Sequence, residues 1–191
     1  MSAPLVLVTG FGPFPGCEVN PSREVARALE REPPPGVRVA ARELPVTFRG
    51  APAAIRAALA ELGPERPAAL LGLGVQPEPC FRLERRARGA YSGARADNDG
   101  ATPDGLALEL GPDRVCALDL ERLAQVLREA GAGEVRVSDD AGGYVCEVTL
   151  HTLLGEARGA PAVFLHVPPA AVLDAAAQTP IVRALVAALV R

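Results

Sequence analysis

Lysine and tryptophan are both missing from this chain of 191 residues, and aromatic residues make up only 4% of it. Positive charge therefore rests on 20 arginines, set against 23 Asp and Glu, for a formal net charge of -3. That balance leaves no basic footprint for phosphate backbones, and so few rings give no base-stacking surface, so nucleic acid is not an expected partner. Cys17, Cys80, Cys116 and Cys146 contain no C-x-x-C pair, which argues against a zinc ribbon or a dithiol redox site. No apolar run is long enough to span a bilayer. No charged segment and long apolar stretch precede the strand-like Leu5-Val-Leu-Val8, so no secretory leader is expected. These absences predict a cytoplasmic protein with reduced thiols and no membrane association. The preference for Arg over Lys, alongside abundant Ala and Pro, reads as a coding bias rather than a function.

What is present is an alternation of buried strands and amphipathic helices. Residues 5–9, 37–44, 68–75, 135–137 and 162–167 read as strands, the third and fifth as continuous apolar runs covered on both sides. Asn20-Pro21 opens a helix, residues 51–62 form a second that stops at Gly63-Pro64, and Asp119 caps another. Residues 142–154 form a further helix, and Thr179-Pro180 is predicted to start the last. Residues 76–114, rich in Arg, Gly, Asp and Pro, show no sustained period and read as a long functional loop with room for a short hairpin. The pattern predicts one catalytic domain over residues 1–191, a three-layer α/β/α sandwich with a mostly parallel central sheet. Gly10-Phe11, Gln76, Ser138 and His166 each follow or end a strand, so they are expected along the carboxyl edge where α/β sheets bind ligands.

Two segments concentrate chemistry. Ser138-Asp-Asp-Ala-Gly-Gly-Tyr-Val-Cys146 sets a thiol just inside a helix start, where backbone potential favours thiolate and free N–H groups suit an oxyanion. Ser138, Asp139 or Asp140 is the expected cap. Phe164-Leu-His166-Val-Pro-Pro169 ends a strand with one of only two histidines. An imidazole beside a thiol is the pairing a cysteine hydrolase needs, and a carboxylate such as Glu84 would hold the ring in the useful tautomer. Taken singly, Cys146 fits a small core residue, His166 a bonded core histidine, Glu84 a solvated charge and Arg95 an ordinary loop arginine. His151, five positions beyond Cys146, faces elsewhere, and Glu147 with His151 lacks a third metal ligand. Gly10 to Gly16 has the wrong spacing for a dinucleotide fingerprint, and Pro13 and Pro15 prevent a helix there. Phe11 and Phe14 either line a pocket from a rigid loop or fold into the core.

Together these residues resemble the pyroglutamyl peptidase I (pyrrolidone-carboxylate peptidase) family of cysteine peptidases. The likeness runs through Leu7-Val-Thr-Gly-Phe11-Gly-Pro-Phe14, Asn20-Pro-Ser22, Glu43-Leu-Pro-Val-Thr-Phe48, Leu83-Glu84-Arg85, Asp97-Asn98-Asp99-Gly100 and the Cys146 and His166 segments. The resemblance implies a phosphorylase/hydrolase-like fold and a thiol exopeptidase that releases N-terminal pyroglutamate (5-oxoproline) through a thioacyl-enzyme, without cofactor or metal. It implies Cys146 as nucleophile, His166 as base and acid, Glu84 as orienting carboxylate, and Arg95 as a candidate near the oxyanion. It further implies Phe11, Phe14 and Val145 around the substrate ring, a peptide as the partner, and a homodimer or homotetramer. The chain departs from the family pattern where Arg86-Ala-Arg88-Gly89 follows the glutamate, in the Val75-Gln-Pro-Glu-Pro79 segment, and at Glu147, where an asparagine is common. The rival expectations are an amidase for another small cyclic or blocked amide, and a non-catalytic binding protein on the same fold.

Overall fold

The computed structural model describes residues 2–90 and 92–191. Among the described residues, eight strands and six helices follow one another as β1 (Leu5–Phe11), α1 (Pro21–Arg31), β2 (Arg38–Leu44), α2 (Gly50–Glu61), β3 (Ala69–Val75), β4 (Phe81–Glu84), β5 (Arg86–Ala87), α3 (Pro103–Leu106), β6 (Arg114–Val115), α4 (Leu120–Glu129), β7 (Val135–Ser138), α5 (Val145–Glu156), β8 (Ala162–Val167) and α6 (Ala175–Ala188). Six strands form one sheet in the order β2-β1-β3-β8-β4-β7, and β5 pairs with β6 in a separate antiparallel ribbon. The first four of that order are mutually parallel. β4 runs antiparallel to β8, and β7 runs with β4.

Side-chain alternation divides the sheet between two cores. Val6, Val8, Leu71, Leu73, Leu165 and Val167 pack on one face against α1, α4 and α6. Leu7, Leu70 and Phe164 pack on the other against α2 and α5. Period-two geometry therefore sends His166 to the α5 face, and Arg82 and Glu84 with it, since Phe81 and Leu83 join the first core. On that face β3 carries Gly72 and Gly74. A Cβ at Gly72 would lie 2.7 Å from Leu153 Cδ1, and one at Gly74 would lie 3.1 Å from Cys146 Sγ. Glycine here lets α5 settle directly onto the sheet.

Local signals set most boundaries. Asn20 accepts from Ser22 N–H and Asp119 from Arg122 N–H, as their positions predict. Four expectations change. Residues 76–114, read as a loop, contain β4 of the central sheet. α6 starts at Ala175, capped by Asp174, and Pro180 lies inside it. The Ala-Ala-Ala-Gln run propagates helix strongly enough to absorb the donor that proline lacks. α5 starts at Val145, after residue Tyr144, and no side chain of 138–140 caps it. The segment after β7 reaches the site by looping back, because β7 runs against β8 and its carboxyl end points the other way. Among the described residues no helix is long and apolar enough to cross a membrane.

Candidate active site

β3 and β8 run side by side with Gly74 opposite His166, and β4 sets Arg82 on the other side of the same histidine. His166 thus stands in a lateral row across the sheet, with an open glycine on one flank and a guanidinium on the other. Its Nδ1 lies 2.6 Å from Glu84 Oε1, two residues along β4 from Arg82. Glu84 is wholly buried, and Arg82 Nε donates to the same Oε1 at 2.6 Å. Arg82 continues to Glu78, which also receives Arg136 Nη1 at 2.6 Å. The carboxylate facing the imidazole therefore ends an alternating chain of charges that runs to the edge strand.

With Nδ1 committed to Glu84, the other ring nitrogen is left for the cavity that His166 shares with Cys146. Burial of the ring opposes its charge. The negative charge and hydrogen bond of Cys146, then those of Glu84, outweigh burial and raise the His166 pKa from 6.5 to about 9. The arrangement keeps the imidazole protonated at neutral pH.

Cys146 sits in the first turn of α5. Glu147 Oε2 accepts Gly143 N–H at 2.6 Å, and Asp140 Oδ1 accepts Gly142 N–H at 2.9 Å. Both glycines have positive φ, +94° at Gly142 and +61° at Gly143, which few other residues tolerate. The N–H groups of Tyr144, Val145 and Cys146 have no acceptor among the described residues. They form a donor cluster at the sulfur suited to an oxyanion. Asp139 is drawn to Arg85 at 2.8 Å and Asp140 to Arg88 at 2.9 Å, so neither acid is left without a cation beside the thiol.

A cavity of about 130 Å³ opens over these groups. Phe11, Phe14, Val46 and Val145 give it an apolar wall, and Cys146 and His166 share its lining. Arg95 also lines it, its guanidinium carbon 3.9 Å from the centre of the Tyr144 ring. Phe11 serves both readings offered by the sequence: it is 3% exposed, packs on Phe164 with ring centroids 6.5 Å apart, and still borders the cavity. Asp97 accepts Phe48 N–H, and Asn98 donates to the carbonyl oxygen of Pro13, the residue before Phe14. Every site residue singled out in the sequence falls in this cavity or, for Glu84, directly behind it.

Arg82, which sequence reasoning missed, also lines the cavity, as do Gln76, expected on the ligand edge, and Asn20, expected as a helix cap. Arg82 and Glu84 at i and i+2 on a strand share a face, and that spacing was the available signal. The two departures at Arg88 and Glu147 meet: the carboxylate binds the guanidinium through both oxygens. His151 Nε2 contacts Pro112 O at 3.0 Å, so neither member of the Glu147–His151 pair is free for a metal. Among the described residues no cluster of His, Cys, Asp or Glu suits a metal ion. All four cysteines are free thiols.

A thiol at the start of α5, an imidazole near the carboxyl end of β8 and a buried carboxylate on the antiparallel neighbour β4, in an α/β/α sandwich, are the groups a cysteine hydrolase uses. Comparison with known proteins narrows the class. The family model for pyroglutamyl peptidase matches residues 5–189, and the chain belongs to that family of cysteine peptidases. It is 37% identical over 169 residues to the pyrrolidone-carboxylate peptidase of Thermococcus onnurineus, covering 85% of this chain and 82% of that one. It is 38% identical over 166 residues to that of Chromobacterium violaceum, covering 85% and 77%. The structure superposes on pyroglutamyl peptidase I from Bacillus amyloliquefaciens with a TM-score of 0.87 at 25% identity, over 100% of this chain and 97% of that chain. The pyrrolidone carboxyl peptidase from Thermococcus litoralis shares the fold, with a TM-score of 0.85 at 24% identity over 96% and 92% of the two chains.

Proposed function

We propose that the protein removes N-terminal pyroglutamate from peptides, with Cys146 as nucleophile, His166 as acid and base, and Glu84 as the carboxylate that orients the ring. The observation that carries this reading is the buried Glu84–His166 contact of 2.6 Å beside a cavity that Cys146 and His166 both line. The lactam is neutral and compact, which suits the apolar wall of Phe11, Phe14 and Val145.

Cys146 sulfur attacks the carbonyl that links the ring to the next residue. The oxyanion formed is received by the free N–H groups of the α5 turn, with Arg95 as a further candidate donor. Collapse breaks the C–N bond, and the departing amine takes its proton from His166. The neutral imidazole then removes a proton from water, whose oxygen attacks the thioester. Pyroglutamate leaves, and the thiolate–imidazolium pair is restored. Each step uses groups of this chain and water alone. Free thiols throughout, Cys80 and Cys116 among them buried, support a reducing compartment such as the cytoplasm.

Fluorogenic pyroglutamyl and prolyl amides, assayed with and without a thiol alkylator, test the reading. Hydrolysis of the pyroglutamyl amide alone, abolished by alkylation and by Cys146→Ser, is expected. Equal rates on both amides would favour a broader amidase.

A further inference from the structure

The carboxylate next to the nucleophile is fully enclosed, yet both of its oxygens are saturated. Glu147 Oε1 accepts from the backbone N–H of Arg88 at 2.9 Å and from Arg88 Nε at 2.7 Å. Its Oε2 accepts from Arg88 Nη2 at 2.7 Å and from Gly143 N–H at 2.6 Å. The same Nη2 reaches Asp140 Oδ1 at 2.9 Å, which in turn holds Gly142 N–H. One guanidinium thus grips both ends of the turn between 140 and 147, and the free N–H groups and the sulfur lie between those grips.

Stability alone gives a poor reason for such a pair. Enclosing the Glu147 charge costs roughly as much as its attraction to the part-exposed Arg88 returns, and an apolar residue in its place often does as well. What the ion pair supplies that leucine and methionine would not is a rigid four-bond geometry and a neutralised charge one residue from the thiol. Two sides of the turn need fixing, because Gly142 and Gly143 have the widest conformational freedom of any residue.

We propose that Arg88 and Glu147 are positioning residues for hydrolysis: Arg88 locks the 140–147 turn in its donor geometry and cancels the Glu147 charge beside the Cys146 sulfur. The inference rests on Cys146 being the nucleophile. Charged groups facing the sulfur from other elements are His166 of β8, backed by Glu84, Arg82 of β4 and Arg95 across the cavity; all stay the same in the variants below.

The test compares Arg88→Met, Glu147→Gln and the double variant. Iodoacetamide alkylation of Cys146 is read at pH 7 by mass of the Cys146 peptide, and kcat and KM are read on a pyroglutamyl anilide. Removing the cation leaves an uncompensated carboxylate on the residue next to Cys146, so Arg88→Met slows alkylation by about threefold or more. Removing the anion leaves the cation, so Glu147→Gln speeds alkylation by a similar factor. The double variant returns close to the wild-type rate. Both single variants lower kcat by about tenfold or more with KM changed less than about twofold, because the donors misalign only against the tetrahedral species. A purely structural pair would move alkylation in the same direction in both single variants, or in neither, and either result overturns the proposal. If Arg88→Met does not fold, Arg88→Lys carries the test. It keeps the charge and loses the fork, so the alkylation rate holds while kcat falls; any other pairing of outcomes overturns the proposal. Alkylation needs no substrate, so failure to cleave pyroglutamyl peptides would sink the substrate assignment and leave this experiment decisive on its own terms.

Discussion

His166 and Glu84 face each other from adjacent antiparallel strands, Nδ1 to Oε1 at 2.6 Å, with both side chains out of solvent. Glu84→Gln keeps an oxygen for the ring nitrogen but removes the charge that supports the imidazolium. The expected result is a fall in kcat of about a hundredfold or more with little change in KM, measured by steady-state kinetics on a pyroglutamyl anilide. A KM effect without a kcat effect would remove Glu84 from the proton machinery.

The raised pKa of His166 sets the alkaline side of the pH profile. The imidazolium that protonates the leaving amine persists up to about 9, so kcat/KM falls as pH rises through that value. The same ring has a pKa near 6.5 when unfolded, so its contribution to stability is complete below about 6.5 and is lost as pH rises through about 9. In Cys146→Ser the thiolate no longer supports the ring, and His166 should titrate lower. An NMR titration of its ring protons checks this, and an unchanged midpoint would separate the ring from the sulfur.

Phe11 and Phe14 border one cavity but differ in burial, so their variants should diverge. Phe11 is 3% exposed and packed on Phe164. Phe11→Ala should destabilise the protein by about 3–5 kcal/mol in chemical denaturation. Phe14 is half-buried on its turn, and Phe14→Ala should leave the melting temperature nearly unchanged. It should instead raise KM by about tenfold through lost contact with the ring.

Gly74 is the open flank of His166, and even one methyl group there is too much. Its Cβ would stand 2.8 Å from Phe164 Cζ and 3.1 Å from Cys146 Sγ. Gly74→Ala should cost about 1–3 kcal/mol by overpacking and cut kcat by displacing the sulfur. Full activity with normal stability would mean that α5 is free to move away from the sheet.

β1, β3 and β8 are legible in sequence because helices cover both faces, which demands continuous apolar runs. β4 is not. It has four residues, and its α5 face carries Arg82 and Glu84, whose opposite charges satisfy each other in a place that single-sequence patterning reserves for apolar groups. The existence of β7 follows from Val135 and Val137, but its direction depends on which neighbour it pairs with, a long-range property. The Cys146 and His166 motifs are local and readable. The Arg88–Glu147 bond spans 59 positions, and no short pattern announces it.

The sheet and the α5 turn hold the site by different means. Imidazole and carboxylate are spaced by the strand ladder between β4 and β8, whereas the sulfur is delivered by a surface turn fastened through one arginine. Mild urea should loosen the fastening before the ladder. Peptide cleavage would then fade while the far-ultraviolet circular dichroism still reports an intact fold, and a protease would cut first between 139 and 144.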